Sequence, residues 1–289
     1  MSLSLVAVAS EGAQRLLAAG VQAVEADRDA VVLARAVLAW DVARWLADGH
    51  RQSPSPDFEA AFAAAIDRRA AREPVAYILG EREFYGRPFL VSKAVLVPRP
   101  ETELVVDRAL ALVAANHGQP PATILDVGTG SGCLAITLAL ECPIARIVAT
   151  DISPAALEVA AANAVRHCVA HRIEFRRGSL VAGLNDPADL IVTNPPYVPE
   201  RDRASLSSEV RDHEPARALF GGEDGLDVIR ELLPAAVQAL RPGGWLVMEI
   251  GAGQWDAVQD LARRAGFEQA GVHDDLAGIA RVVVAQSRP

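Results

Sequence analysis

Cysteine is scarce in this chain. The three present, Cys133, Cys142 and Cys168, are an odd number with no CxxC spacing, so neither a disulfide framework nor a zinc site is indicated. That usage fits a reduced, cytoplasmic setting. Long apolar runs are missing as well, since no window approaches the roughly 20 residues that cross a bilayer without charges. The short apolar stretch Leu3–Ala9 lacks a basic leading segment and a following cleavage pattern, so no signal peptide and no membrane partner are expected. A cationic surplus is absent too. The formal net charge of −9 opposes tight, sequence-independent binding to nucleic acid, which needs clustered Lys and Arg to neutralise phosphates. The best local cluster, Arg172, Arg176 and Arg177, reads more simply as a solvated strand end. His50, His117, His167, His171, His213 and His273 have no metal spacing such as HExxH, so no required metal is expected.

What is present is ordinary soluble material, 289 residues with 51% hydrophobic and 22% charged side chains, enough for a large domain and a small one. From Gln14 to about Arg72, apolar residues recur every three or four positions, which predicts a small helical domain over residues 1–73. One helix is sharply marked: Ser55 can cap it, Pro56 suits its first position, Asp57 and Glu59 favour its positive end, and Phe58, Phe62 and Ile66 form one stripe. Trp40 and Trp45 join the same predicted core; a partner surface is the alternative reading of that stripe. Residues 74–100 form a linker, with two short extended runs around the glycine of Phe84-Tyr85-Gly86-Arg87-Pro88-Phe89.

Residues 101–289 begin with a helix to about Ala115 and then alternate short β-type runs with helical stretches. Strands are predicted at Thr123–Val127, Arg146–Asp151, Ile173–Arg177, Leu190–Thr193 and Trp245–Ile250, with another near Arg281–Ala285. Such alternation implies an α/β fold with a mostly parallel sheet covered on both faces, whose ligands bind beyond the carboxyl ends of the strands.

The first of these strands runs into Asp126-Val127-Gly128-Thr129-Gly130-Ser131-Gly132, and a helix is predicted from Cys133 to about Leu140. A glycine-rich strand-to-helix turn is a weak signal alone, because dinucleotide folds use one too. No Lys follows the last glycine, which argues against a P-loop. Asp126 stands where a carboxylate would repel a pyrophosphate but could attract a cationic methionine moiety, directly through its amino group or through water. The second strand ends at Asp151, where a carboxylate can accept hydrogen bonds from both ribose hydroxyls; helix capping is the bland alternative, although Ser153-Pro154 already supplies a helix start. Ser179 and Leu180, after the third strand, fall at the adenine end. Together these positions point to S-adenosylmethionine.

The fourth strand leads into Asn194-Pro195-Pro196-Tyr197. Two consecutive prolines fix the backbone and remove two amide donors, leaving the Asn194 side-chain oxygen and the Pro195 carbonyl as candidate acceptors for an NH2 group. Tyr197 could lie against a planar amide or base; a rigid turn with a buried tyrosine is the alternative. Amide and aromatic amine nitrogens are poor nucleophiles because their lone pairs are delocalised. Two acceptors holding both hydrogens favour pyramidalisation, and alignment of this kind is worth up to roughly 7–11 kcal/mol in well-oriented systems.

With both motifs located, the chain resembles the peptide-chain release factor N5-glutamine methyltransferase family over nearly its whole length. The more specific segments are Pro74–Gly80, Val97-Pro98-Arg99-Pro100-Glu101-Thr102-Glu103, Glu209–Pro215 and Ala218–Leu226. The resemblance implies a seven-stranded, Rossmann-like class I methyltransferase sheet, joined to an N-terminal helical domain that helps dock class 1 release factors. It carries cofactor binding to Gly128, Thr129, Gly130, Ser131, Gly132 and Asp151, and binding of the Gly-Gly-Gln glutamine amide to Asn194, Pro195, Pro196 and Tyr197. Arg99 and Glu101 would order the wall of the site, an interdomain salt bridge being the alternative for either. Ser179 departs from the acid common after the third strand, and Asp275–Arg281 is less polar than in many relatives. Competing readings are a DNA or RNA amino-methyltransferase, a methyltransferase acting on a ribosomal-protein glutamine, a non-catalytic module and a hydride-transfer enzyme. The net charge opposes the first, and the intact glycine loop, Asp151 and Asn194 oppose the third. Nucleic acid is therefore not expected as the direct substrate.

Overall fold

The computed structural model describes residues 3–115, 123–182 and 186–289; His117 lies outside the described residues. Two compact units divide the chain, Met1–Gly80 with Ser207–His213, and Glu81–Leu206 with Glu214–Pro289.

In the first unit the helices are Leu5–Ala18, Ala23–Leu38, Val42–Asp48, Pro56–Ala70 and Val75–Leu79, with the short Ser208–His213 in the returning segment. Local chemistry sets their starts: the side chains of Ser4, Asp41 and Ser55 accept from the amides of Ala7, Arg44 and Phe58 at 3.2, 2.7 and 3.2 Å. Helix therefore begins nearer the N-terminus than the Gln14 periodicity suggests, and Leu3–Ala9 supplies its first turns, with Leu5 and Ala9 buried. Phe58, Phe62, Ile66, Trp40 and Trp45 share one core, the two phenyl rings stacked with centroids 5.4 Å apart. Inside this unit a buried ion network joins Arg69 Nε to Asp29 Oδ2 at 2.8 Å and Arg69 Nη1 to Glu209 Oε1 at 2.8 Å. Glu209 belongs to the returning segment Ser207–His213, which also offers the Ser208 hydroxyl to Arg72 Nε at 3.0 Å.

The second unit opens with the antiparallel hairpin β1 (Glu81–Phe84) and β2 (Arg87–Leu90). Its main sheet contains β3 (Thr123–Val127), β4 (Arg146–Asp151), β5 (Ile173–Arg177), β6 (Ala188–Thr193), β7 (Leu240–Glu249), β8 (Phe267–Asp274) and β9 (Ala280–Ser287). Their order is β5-β4-β3-β6-β7-β9-β8, parallel through β7, with β9 antiparallel to both neighbours. This is the α/β architecture that the alternating pattern predicts. Every residue of β3 and β6 is buried, as expected where helices cover both faces. Side chains alternate between faces, so Ile124 enters one apolar cluster and Leu125 and Val127 the other. The edge strand β8 is absent from the sequence prediction. Only Phe267 in it is buried, because an edge strand with one partner needs no apolar run and leaves little periodicity to read.

One buried polar side chain ties the hairpin to the sheet. Asn163, on the helix Pro154–Arg166, accepts from the Leu90 amide at 2.7 Å and donates to the carbonyls of Leu90 and Ser131, both at 2.9 Å. The loop following β3 is thus held from behind.

Candidate active site

Beyond the carboxyl ends of β3, β4, β5 and β6 lies a cavity of about 800 Å³. Its floor begins with the loop after β3. The amides of Gly128 and Thr129 each donate to the Thr150 carbonyl at 2.9 Å, and the Gly130 amide donates to Asp151 Oδ2 at 2.9 Å. Gly130 has φ +56°, and no side chain comes within 4 Å of where its Cβ would stand, so the backbone lies open to an incoming group. Gly132 closes the turn differently: a Cβ there would come within 2.9 Å of Ile136 Cδ1 and 3.3 Å of the Ala160 backbone. Asp151 Oδ1 accepts the Ser153 amide at 2.8 Å, while Ser153 itself caps the helix through the Ala156 amide at 3.2 Å. The Asp151 carboxylate therefore joins the glycine loop to the next helix at the rim of the cavity.

Of the residues singled out in the sequence, Gly128, Thr129, Gly130, Ser131 and Asp151 line the cavity on this side, with Ser179 and Leu180. Leu180 has φ +51° and its carbonyl accepts from Thr150 Oγ1 at 2.9 Å, which fixes the turn after β5. Asp126 and Gly132 are not on the wall. Asp126 sits beneath the loop, where Oδ2 accepts from Thr129 Oγ1 at 2.6 Å and from the Ala135 amide at 3.1 Å. Its other oxygen is buried without a partner, and burial raises the carboxyl to about 7. Because the folded value lies above the unfolded one, the associated stability is full below about pH 4 and disappears as pH rises to about 7. Relative to Asp126→Asn, the cofactor-free protein is expected to lose up to about 1.4 kcal/mol per pH unit across that window and nothing further above it. Urea unfolding of both proteins at pH 5, 6 and 8 checks this; parallel curves would count against it. The neighbouring Cys133 thiol is pushed up to about 12 by burial, which removes it as a nucleophile at neutral pH.

The other side is built at the end of β6. Asn194, Pro195 and Pro196 line the cavity with Arg99 and Thr102. Asn194 Nδ2 donates to Thr102 Oγ1 at 3.0 Å, and Thr102 Oγ1 donates to Glu249 Oε2 at 2.6 Å. The Tyr197 hydroxyl donates to Glu249 Oε1 at 3.0 Å. Burial raises the Tyr197 phenol, with the Glu249 charge adding to it, and burial raises the Glu249 carboxyl despite both hydrogen bonds. Tyr197 is off the cavity wall and packs against the apolar cluster behind it. Arg99 Nη2 donates to Glu214 Oε1 at 2.6 Å, and the Val97 amide reaches Glu214 Oε2 at 3.3 Å. Both partners of that ion pair belong to the second unit. Glu101 is exposed and away from the wall.

Three polar residues that build this wall, Thr102, Glu214 and Glu249, have no role in the sequence reading. Glu249 left a signal, an acid closing the apolar run from Trp245 to Met248 in β7, and such acids are rarely buried without a task. The basic run divides: Arg172 donates to the carbonyls of Ala139, Cys142 and Ala145, Arg176 pairs with Glu174, and Arg177 lines the cavity. Among the described residues, no group of three or more His, Cys, Asp or Glu is arranged to hold a metal ion, and no helix is long and apolar enough to cross a membrane.

Residues 103–210 match the methyltransferase small domain family, and residues 8–80 the PrmC N-terminal domain family. The release factor glutamine methyltransferase of Cereibacter sphaeroides is 47% identical over 273 residues, covering 94% of each chain. That of Bradyrhizobium diazoefficiens is 44% identical over 287 residues, covering 96% of this chain and 95% of the relative. Among solved structures, the hMettl16 catalytic domain in complex with a 3'UTR hairpin superposes with a TM-score of 0.58 at 16% identity, covering 78% of this chain and 84% of that one. A methyltransferase from Pyrococcus furiosus gives 0.52 at 16% identity, with 78% and 98% covered. At such identities the structural likeness speaks for the fold alone, whereas the sequence relatives carry more: the chain belongs to the release factor glutamine methyltransferase family and is an S-adenosylmethionine-dependent methyltransferase.

Proposed function

We propose that this chain methylates the side-chain amide nitrogen (N5) of the glutamine in the Gly-Gly-Gln motif of class 1 peptide-chain release factors, in the cytoplasm and without a metal. One observation carries the acceptor chemistry. In the notch after β6 the Asn194 amide nitrogen is turned to Thr102 at 3.0 Å and neither proline has an N–H, which leaves Asn194 Oδ1 and the Pro195 carbonyl as acceptors there. An NH2 group satisfies such a lining; a carbonyl or carboxylate does not. The relatives' names supply the protein that carries the glutamine.

S-adenosylmethionine, when bound, supplies a methyl group on a positively charged sulfur and leaves as neutral S-adenosylhomocysteine. The open backbone at Gly128 and Gly130 and the carboxylate of Asp151 fit this molecule, with Ser131, Ser179 and Leu180 along its length. Asp126 and Gly132 hold the loop in shape from below. Asn194 Oδ1 and the Pro195 carbonyl accept hydrogen bonds from the two amide hydrogens, which opposes delocalisation and aims the nitrogen lone pair; as the nitrogen–carbon bond forms the methyl–sulfur bond breaks, and one of those two hydrogens then leaves as a proton to water. Alignment of that kind is the chief source of rate, up to roughly 7–11 kcal/mol in well-oriented systems. Arg99 is set by Glu214 at the acceptor side, and Tyr197 serves the notch through Glu249. Residues 1–73 dock the release factor, residues 74–100 link, and residues 101–289 perform the transfer.

The test is methyl transfer from labelled S-adenosylmethionine to a purified release factor and to bulk nucleic acid in parallel, with and without a strong chelator. Label is expected on the factor alone and unchanged by chelation. Label on nucleic acid alone would replace this function with base amino-methylation, and reversible loss under chelation would overturn the metal-free chemistry.

A further inference from the structure

We infer that Glu249 decides which end of the Asn194 amide faces the acceptor, and so makes the notch read an NH2 group and refuse a carboxylate; the inference rests on the glutamine function proposed above. The two ends of an asparagine amide are nearly the same in shape and opposite in hydrogen-bond sense, so something outside the residue must choose between them. The choice is made two bonds away. Thr102 has a single hydroxyl hydrogen, and Oε2 of Glu249 takes it at 2.6 Å. Thr102 Oγ1 therefore has only lone pairs left for Asn194, and at 3.0 Å only Nδ2 can meet them. Asn194 Oδ1 accepts no hydrogen bond from any described residue while the side chain lines the cavity.

Glu249 can impose this sense because an ionised carboxylate has no hydrogen to give. It also takes the Tyr197 hydroxyl hydrogen at 3.0 Å, so both of its oxygens are occupied as acceptors. Burial, with the charge of Glu101, raises the carboxyl above its ordinary value, while the hydrogen bonds from Thr102 and Tyr197 and the charge of Arg281 favour the ionised form. An uncharged amide at the same place reverses the chain when its oxygen keeps the Tyr197 hydroxyl hydrogen. Its N–H then donates to Thr102, the freed hydroxyl hydrogen turns to Asn194 Oδ1, and the asparagine rotates to present N–H groups to the cavity. Such a lining suits a carboxylate. Glu249 touches neither substrate nor cofactor in this scheme and is a positioning residue.

The experiment compares Glu249→Gln, Thr102→Val and Thr102→Ser with the wild type. For each, we would measure cofactor Kd, kcat and KM on the release factor, and inhibition by a factor whose Gly-Gly-Gln glutamine is glutamate. For Glu249→Gln, cofactor Kd should stay within about threefold while kcat falls about 10–100-fold, the scale of a lost hydrogen bond to a charged group. Inhibition by the glutamate factor should tighten at least about tenfold relative to KM, a change that simple loosening of the fold would not produce. Thr102→Val should lose turnover similarly, and Thr102→Ser should recover it to within about fivefold because the hydroxyl is restored. If Glu249→Gln fails to fold, the Thr102 pair decides. Turnover near wild type in Glu249→Gln or in Thr102→Val, or unchanged discrimination against glutamate in a folded Glu249→Gln, overturns the inference. Absence of label on the release factor with the wild-type enzyme instead overturns the glutamine function, and the inference with it.

Discussion

A release factor carrying glutamate in place of the Gly-Gly-Gln glutamine is expected to receive no methyl group, with kcat/KM lower by about 10⁴-fold or more. Intrinsic reactivity points the other way, since a carboxylate oxygen is a better nucleophile toward a sulfonium methyl than an amide nitrogen. Any exclusion must therefore come from the protein. A carboxylate brings charge and lone pairs against Asn194 Oδ1 and the Pro195 carbonyl, in a notch where Asn194 Nδ2 is turned to Thr102. Buried like-with-like polar contacts of this kind discriminate far more strongly than a missing methylene. Mass spectrometry of the glutamate factor after long incubation is the check, and a methyl ester on that residue would show that the notch does not select by hydrogen-bond sense.

Opposite signatures are expected from the two sides of the cavity. Asn194→Ala should lower kcat by about 10²–10³-fold, the usual loss when one preorganised polar group is removed from a reaction centre, with cofactor Kd within about threefold. Asp151→Ala should weaken the cofactor by about 10²-fold while kcat at saturation stays within about tenfold. That carboxylate carries the Gly130 and Ser153 amides at 2.9 and 2.8 Å, so its removal slackens the loop and, on the proposed reading, deletes the ribose acceptor as well. Calorimetric titration alongside single-turnover methyl transfer separates the two. Unchanged turnover in Asn194→Ala would refute the acceptor role.

Much of the cavity wall was legible because its parts stand at strand ends, where a local pattern marks the position. The glycine turn follows β3, Asp151 ends β4 and Asn194 follows β6, and each is recognisable from fewer than ten neighbouring residues. What escaped is held together across long separations. Thr102 and Glu249 meet over 147 positions and Arg99 and Glu214 over 115, and no periodicity encodes such a pairing. Asp126 illustrates a subtler limit: an acid before the loop was visible, but its side chain turns inward to Thr129 and Ala135 rather than outward to the cavity. The strand β8 was missed for a different reason, since an edge position asks little of its side chains.

The returning segment Ser207–His213 has a consequence for how the molecule is made. Arg69 is synthesised 140 positions before Glu209, its partner at 2.8 Å. At ribosomal rates of 5–20 residues per second, that is roughly 7–28 s. Over that interval the cation has Asp29 alone, so the N-terminal helices emerge as a unit whose buried charge is only partly matched. A nascent chain halted before residue 207 would carry every one of those helices and still lack a piece of their interior, whereas one released beyond residue 213 would hold the complete set.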